Sequence, residues 1–424
     1  MPLNWGPSKV FYGWWIVGAS FLIALYVGGV VFYGFTAIFE PIADELGWSY
    51  AQISLAASLR GLEMGILAPI VGILVDRWGP RRIVFTGAVF TAGGLLLLSN
   101  TTSIATFYGA FALIATGISG CTMTVLMTTI ANWFRKNMGL ASGIAIAGFG
   151  FGGLLVPLMV KLIEIYGWRG TMALLALGML VLVIPLSLLF RHKPEQHGYL
   201  PDGQVESLVA FDDSPRRPPD VELNVRTKQA IKSGTFWCLA LAFTYHHMVI
   251  STIITHVMPY LSTIGIVRSV SSLVATALPL MSVAGRLVLG WLGDKVNKKL
   301  ITAGAFAIMG LGSLCFGYAA TAGIWLLVPF LILFGISYGG INTLRISLLR
   351  EYFGRTSFGA ILGIMLGINM LGSIIGPTLA GWVYDNWGSY QSIWFIFAGM
   401  AVAAVIFILA VRPVRITVGL DNKG

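Results

Sequence analysis

The chain has 424 residues, of which 57% are hydrophobic and only 10% are charged, and its mean hydropathy is +0.84. This composition excludes a soluble globular protein, because soluble domains carry about 25% charged residues. The formal net charge of +10 does not indicate nucleic-acid binding, because the basic residues lie at the ends of apolar segments.

Twelve apolar segments predict twelve transmembrane helices, so the expected fold class is an all-α polytopic membrane protein. Several segments exceed the ~20 residues of a straight crossing, which indicates tilt or extension past the bilayer. The predicted spans lie at approximately 11–39, 50–75, 82–100, 104–132, 138–165, 170–190, 235–263, 268–293, 300–320, 323–350, 358–384 and 389–411.

The distribution of basic residues predicts the orientation. With the N-terminus in the cytoplasm, 21 Lys and Arg residues lie inside, and only Lys161, Arg169 and Arg268 lie near the outer face. Cytoplasmic loops of membrane proteins carry the excess of positive charge. We therefore expect both termini in the cytoplasm and a multi-pass protein of the plasma membrane, which in a bacterium is the cell inner membrane.

A polar stretch at residues 192–233, rich in Pro, Asp and Gly, interrupts the apolar pattern. Such a composition predicts a linker. We expect an N-terminal six-helix bundle at 1–190, a cytoplasmic linker at 191–233 and a C-terminal six-helix bundle at 234–424.

Short sequence landmarks recur in the two halves at a nearly constant spacing. The segment GILVDR at 72–77 matches GWLGDK at 290–295, and Gly117 matches Gly335, both at a spacing of 218. Repeated halves with a central site are how many secondary transporters are built. The repeat therefore favours a transporter.

Arg286 lies deep within span eight, in nearly pure hydrocarbon, and about 12 Å of helix separates it from Asp294. A guanidinium at the centre of a bilayer costs at least ~2.5–3.5 kcal/mol on insertion scales, so an intramembrane arginine indicates a functional site. We interpret Arg286 as an anion-binding residue in a central cavity. The alternative is a structural ion pair or a carbonyl cap.

The segment GILVDRWGPRR after span two combines glycines that permit close helix approach with a tight turn at Gly79-Pro80. It resembles the motif between helices two and three of the major facilitator superfamily, and the resemblance covers the whole chain. In that superfamily the motif steadies one conformation and does not bind substrate. The resemblance implies the same role for the matching residues Gly72, Asp76, Arg77, Arg81 and Arg82.

A second motif, WFRKNMGLASGIAIAGFG, begins at Trp133, and its small residues Gly139, Gly143 and Ala147 predict a flat face for close helix packing. With the GW pair that enters span one, it resembles the signatures of the proton-coupled monocarboxylate transporters. The related oxalate/formate exchangers share much of this pattern, including a stretch like GYLPDG in the central loop.

This resemblance implies that an arginine in helix eight holds the substrate carboxylate, and Arg286 matches it by helix and by local context. A guanidinium suits a planar carboxylate through two parallel hydrogen bonds. The sequence departs from the family in two places. Residues 22–38 lack the lysine of vertebrate members, and span eleven has Asn369 where dicarboxylate exchangers carry a second cation. We therefore expect a monoanion rather than a dianion.

Other polar residues on the expected transport path are weaker candidates for substrate binding, because a packing or interfacial role is open for each of them. Asn342 and Asn369 rank above the others, since buried amides need partners. The candidates are Tyr33, His246, His247, His256, Tyr338, Asn342 and Asn369.

Proton coupling requires a titratable group, and the sequence leaves three possibilities open. Glu63 lies within span two beside Arg60, where the two residues could also neutralise each other structurally. His256 could titrate near neutral pH. Alternatively, the substrate itself carries the proton. The empty transporter then changes conformation only when Arg286 finds a carbonyl or an acidic residue as a partner. Arg345 lies near the cytoplasmic end of span ten, and we interpret it as a structural or gating charge.

The sequence therefore predicts a secondary active transporter that moves a small monocarboxylate such as lactate or pyruvate with a proton, by alternating access. The alternative within transporters is a carboxylate exchanger of the oxalate/formate type. A membrane sensor or an efflux pump for apolar cations fits less well. The sequence contains no phosphate-binding loop, nucleophile elbow or metal-ligand cluster, so we expect no enzyme activity, no cofactor and no metal. We expect a monomer in the bilayer, with no prediction about an accessory subunit.

Overall fold

A computed structural model describes residues 11–134, 137–192, 194, 225, 227–354 and 358–412, except for the side chains at 62–65, 68, 69, 76 and 294. All regular secondary structure in these residues is helical. The expected all-α fold class is therefore confirmed.

Five long helical segments make up the N-terminal part of the described chain. Three of them are irregular, because α1 contains a π-helical turn at Gly28–Tyr33, α4 is interrupted at residues 120–122 and α5 contains a non-helical residue, Gly167. The segments are α1 (Gly13–Leu46), α2 (Tyr50–Trp78), α3 (Pro80–Ser99), α4 (Ile104–Trp133) and α5 (Met138–Ser187).

A short helix and six long helices follow. The short helix α6 lies in the predicted linker, most of which is outside the described residues. The segments are α6 (Thr227–Lys232), α7 (Gly234–Thr263), α8 (Arg268–Lys295), α9 (Lys298–Ala322), α10 (Ile324–Phe353), α11 (Phe358–Trp387) and α12 (Gln391–Ala410).

Ten of the described helices are long and apolar enough to cross a membrane. One of them, α5, has 50 residues and contains a non-helical backbone at Gly167, where φ is 68°. A segment of this length holds two crossings, because one crossing needs about 20 residues. With the 29-residue α2, the structure is consistent with the twelve predicted spans.

The helices form two compact units. The first unit comprises Met1–Ser214 and Ile254–Leu280, and the second comprises Pro215–Ile253 and Met281–Gly424. The C-terminal end of α7 and the N-terminal part of α8 therefore pack with the N-terminal helices. The bundle boundaries drawn from the sequence at 190 and 234 stay a prediction.

In the first unit, α1 and α5 approach each other through glycines. A methyl group added to Gly152 would lie 2.6 Å from the backbone nitrogen of Gly29, and one added to Gly28 would lie 2.9 Å from the carbonyl of Phe149. At Gly139 and Gly143, two of the three residues of the predicted close-packing face, no described heavy atom lies within 4 Å of an added methyl group. The contact lies several residues further along α5.

In the second unit, α8 and α10 approach each other through small residues on both helices. A methyl group on Gly285 would collide with the backbone of Ile336, and one on Gly339 would collide with the carbonyl of Ser282. The side chain of Leu289 covers Gly340. Small residues permit this approach, and van der Waals packing stabilises helix pairs in lipid. The contact holds α8 against α10 at the helical turns before and after Arg286.

We predict that Gly339→Ala lowers the stability of the second unit, because the new methyl group forces α8 and α10 apart. Overpacking of this kind costs about 1–3 kcal/mol. Thermal unfolding of the purified protein in detergent should show a clear decrease in Tm. Gly304→Ala on α9 is the matched control, because nothing lies within 4 Å of its added methyl group. Equal Tm values for the two variants would contradict the proposed contact.

Candidate functional site

Arg286 lies on α8, nine residues before its end at Lys295, which corresponds to about 13 Å of helix. Its side chain is partly buried, and its Nη1 atom is buried without a hydrogen-bond partner among the described residues. A buried donor without a partner costs about 1–3 kcal/mol, and more when it is charged. This guanidinium therefore has a donor available for an acceptor that the described chain does not supply.

The position of Arg286 follows from the packing of its helix. Ser282, Gly285 and Leu289 form the buried face of α8 that meets α10. The side chain of Leu287, on the opposite side, is 71% exposed. Arg286 lies at the edge between these two faces, so that the α8–α10 contact holds its backbone.

Arg60 on α2 is also buried, with 7% of its surface exposed. Its Nη1 donates to the carbonyl of Val31, and its guanidinium carbon lies 4.9 Å from the ring centre of Phe32. Val31 belongs to the π-helical turn of α1, and such turns are frequent at functional sites. Arg60 thus has a backbone acceptor and a cation–π contact. Glu63, its predicted partner, has its side chain outside the described residues.

Arg345 on α10 is 9% exposed and pairs with a histidine. Its Nη1 lies 2.6 Å from Nε2 of His247 on α7, and its Nε has no hydrogen-bond partner. The sequence analysis missed this pair, because the two residues are 98 positions apart and no local spacing relates them. The only available signal was that each residue is polar within an apolar span.

The arginines near the predicted outer face differ from Arg60, Arg286 and Arg345 in lying close to carboxylates. Arg169 pairs with Glu45 at 2.8 Å, and Arg268 lies 3.8 Å from Glu40. Among the described residues, no carboxylate forms a salt bridge with Arg60, Arg286 or Arg345. The buried arginines therefore depend on neutral groups or on an anion from outside the described chain.

The structure places His256 and Tyr33 in packed surroundings within the first unit. His256 is fully buried on α7, where its Nε2 lies 3.0 Å from Oγ of Ser54 and its ring lies 5.1 Å from that of Phe39. Tyr33 is buried at the end of the π-helical turn, 5.5 Å from the ring of Phe149. Their roles in proton coupling and substrate binding stay predictions.

Three further candidates lie in the second unit. Asn369 on α11 is 0% exposed, and its amide nitrogen donates to the carbonyls of Met365 and Ala240, each at 3.2 Å. Thr244 donates to its amide oxygen at 3.2 Å when the amide has the opposite orientation. Either orientation joins α11 to α7. These contacts favour a packing role for Asn369, and substrate contact stays a prediction.

Tyr338 and Asn342 are one turn apart on α10. Asn342 donates its amide to the carbonyl of Tyr338 at 3.3 Å, and Nε2 of His246 lies 3.3 Å from the same oxygen. The Tyr338 side chain is buried, whereas Asn342 is partly exposed. The structure therefore brings Arg286, Tyr338, Asn342 and Asn369 into one unit, while Tyr33, Arg60 and His256 belong to the other.

The conformational motif lies at the turn between α2 and α3. Gly79 has φ of 79°, which confirms the predicted tight turn before Pro80. Among the described atoms, none lies within 4 Å of a methyl group added to Gly72, and the role of this residue in the motif stays a prediction. The Asp76 side chain lies outside the described residues. A cavity of about 840 Å³ opens here, lined among others by Arg77, Arg81, Arg82, Arg191 and His192.

Comparison with known proteins places this architecture among membrane transporters. The family model of the major facilitator superfamily matches residues 17–272 and 248–422. The chain is 27% identical over 420 residues to monocarboxylate transporter 13 of Bos taurus, with 96% of this chain and 91% of the relative covered. It is 23% identical over 416 residues to the oxalate:formate antiporter of Oxalobacter formigenes, with 97% and 95% covered.

Solved structures agree on the fold. A D-xylose-proton symporter matches with a TM-score of 0.75 over 95% of this chain and 99% of the symporter, at 16% sequence identity. A bacterial homologue of the human lysosomal transporter Spinster, in an inward-facing and unoccupied conformation, matches with a TM-score of 0.69 and 17% identity, covering 95% and 96%. At this identity the likeness supports the fold alone.

We predict that Asn369→Ala lowers the thermal stability of the protein, because it leaves polar groups of α7 without their partner. The loss of a buried hydrogen-bonded amide costs about 1–3 kcal/mol. The matched control is Asn386→Ala on the same helix, since Asn386 is exposed and bonds only within α11. An unchanged Tm for Asn369→Ala, together with a raised KM for the transported acid, would instead make Asn369 a substrate ligand.

Proposed function

Because the chain belongs to the major facilitator superfamily, we propose that it is a secondary transporter that moves a small monocarboxylate, of the lactate or pyruvate type, together with a proton. The observation that carries the proposal is the unsatisfied buried donor of Arg286 in a membrane-spanning helix. An anionic substrate would supply the missing acceptor. The similarity to monocarboxylate transporters 12 and 13 supports a carboxylate as that anion.

A guanidinium and a carboxylate match in both charge and shape. Two parallel N–H groups of an arginine donate to the two oxygens of a carboxylate, and charge-assisted bonds of this kind are about twice as strong as neutral ones. The low dielectric of a membrane protein interior strengthens the attraction further. Arg286 is always charged, so it holds the acid as its anion and does not itself carry the transported proton.

Charge neutralisation gives a physical reason for coupled movement. In the empty transporter the guanidinium of Arg286 is unpaired. A conformational change that encloses this charge in a low-dielectric environment is unfavourable. A bound carboxylate offsets this charge, so the loaded transporter changes conformation more readily than the empty one. We propose alternating access on this basis, with the protein in the plasma membrane, both termini cytoplasmic and a monomer as the transporting species.

An exchanger of one carboxylate for another is the second candidate function. The similarity to the oxalate:formate antiporter favours it. The buried Arg345 in the same unit as Arg286 also favours it, because a dianion would be stabilised by two cations. An exchanger differs from a symporter in one measurable respect: its uptake requires a carboxylate on the opposite side and does not respond to a proton gradient.

We predict that purified protein in proteoliposomes accumulates radiolabelled L-lactate when an inward proton gradient is imposed. Arg286→Ala should reduce this uptake at least about tenfold, because hydrogen bonds to a charged group contribute about 1.5–3 kcal/mol. Arg350→Ala is the matched control, since Arg350 is exposed at the cytoplasmic end of α10. Initial rates over a range of lactate concentrations separate the effects on KM and kcat.

Three outcomes would change the proposal. Undiminished uptake by Arg286→Ala would contradict the carboxylate role of this residue. Uptake that requires internal carboxylate and ignores the gradient would establish the exchanger. Failure of the wild-type protein to transport lactate, pyruvate or any acid of a short monocarboxylate panel would refute the proposed substrate class.

A further inference from the structure

The Arg345–His247 pair on α10 and α7 has a defined protonation state. A guanidinium has only donors, so His247 Nε2 must be the acceptor across the 2.6 Å that separates it from Nη1 of Arg345. The imidazole proton then lies on Nδ1, and the ring is neutral. The structure therefore contains a buried cation that is stabilised by a histidine only as long as that histidine stays unprotonated.

The groups around His247 offer no negative charge. Arg345 faces it from α10, and His246 and Tyr245 are its neighbours on α7, with the two histidine rings 5.7 Å apart. From α11, Asn369 contacts Thr244, about one turn before His247 on α7, and is neutral. Within the described part of the chain, no carboxylate forms a salt bridge with Arg345 or His247. A second positive charge at this position therefore requires an anion that the described residues lack.

We propose that His247 is the proton-binding residue of the transport cycle and that Arg345 makes proton binding depend on a bound carboxylate. This inference rests on the proposed function and identifies where its proton is carried. It assigns to Arg345 a positioning role in place of the structural or gating charge expected from the sequence.

The coupling follows from the geometry. A proton taken from water by the Nε2 lone pair of His247 removes the acceptor of Arg345 and places two cations side by side, which is unfavourable in the empty protein. A carboxylate held by Arg286 in the same unit offsets part of this positive charge. Proton and carboxylate thus bind more tightly together than separately, as reciprocal linkage requires. On release, Nε2 returns its proton to water, and the bond from Arg345 forms again.

The accessibility of the ring distinguishes His247 from the other membrane histidines. His246 and His256 are both 0% exposed, and each has Nε2 near a polar partner, the Tyr338 carbonyl and Ser54 respectively. His247 is partly exposed. Of the three, it alone combines a partly exposed surface with contact to a buried cation, which makes its proton exchange depend on charge.

The first test compares wild-type protein with His247→Asn in proteoliposomes, with radiolabelled L-lactate as the probe. A gradient of one pH unit supports up to about tenfold accumulation in a one-to-one symport. The wild type should accumulate lactate, whereas His247→Asn should exchange external for internal lactate with an accumulation ratio near one. His197→Asn is the control, because His197 belongs to the predicted linker outside the predicted spans, and it should accumulate lactate like the wild type.

Accumulation by His247→Asn at the wild-type level would overturn the inference, because another group must then carry the proton. Loss of exchange as well as accumulation in a folded His247→Asn protein would also overturn it, since His247 would then be needed for binding or for conformational change. Gradient-independent exchange by the wild type would refute the proton role and leave carboxylate recognition by Arg286 intact.

A second measurement does not depend on transport. The chain contains five histidines, so nitrogen-15 spectra of histidine-labelled protein can be assigned by single substitutions. Between about pH 5 and 8, His247 should be the neutral Nδ1–H tautomer without lactate and should become protonated when lactate is added. Arg345→Gln should allow protonation without lactate. A ring whose state ignores both lactate and Arg345→Gln would overturn the inference, whether or not lactate is transported.

Discussion

The structure depends on how a guanidinium is accommodated where no water can solvate it. Arg60 donates to a carbonyl in a π-helical turn and lies over an aromatic ring, and Arg345 donates to a neutral histidine. Arg286 retains a buried donor that no described residue accepts. The three guanidinium groups therefore have different surroundings: the first is satisfied by a backbone carbonyl, the second by a neutral histidine, and the third is the one that we propose to bind an anion. The proposed transport of a carboxylate follows from the third.

Helix packing places these charges without help from acidic residues. The α8–α10 seam is built from Gly285, Gly339 and Gly340, whose missing side chains let the two backbones meet. Arg286 is held beside this seam, and Arg345 lies about one and a half turns beyond Gly340 on the same α10. Both functional arginines of the second unit thus belong to helices whose separation is fixed by small residues. A larger residue at one of these glycines would force α8 away from α10 and would displace Arg286 together with α8.

The sequence predicted the fold well, because the features that determine it are local: apolar segments of sufficient length, charge at their ends, and breaks at Gly79 and Gly167. It also made Arg286 a candidate, since a lone charge in an apolar segment is visible without a structure, and the binding role of this residue stays a prediction. It did not predict the contacts that depend on which helices pack against each other. The glycines at 139 and 143 have no described atom within 4 Å of an added methyl group. The hydrogen bonds that join Asn369 to α7 and His247 to Arg345 connect residues more than 90 positions apart.

The central claim is that Arg286 binds the carboxylate of the substrate. The most direct test measures the binding of two ligands, one charged and one neutral, to two proteins, with and without this arginine. Affinities of L-lactate and of neutral lactamide are measured for wild-type protein and for Arg286→Gln in detergent. The account predicts that the wild type binds lactate at least about tenfold more tightly than lactamide and that Arg286→Gln loses this preference. An equal preference for lactate in both proteins would contradict the claim, because the carboxylate would then be recognised elsewhere.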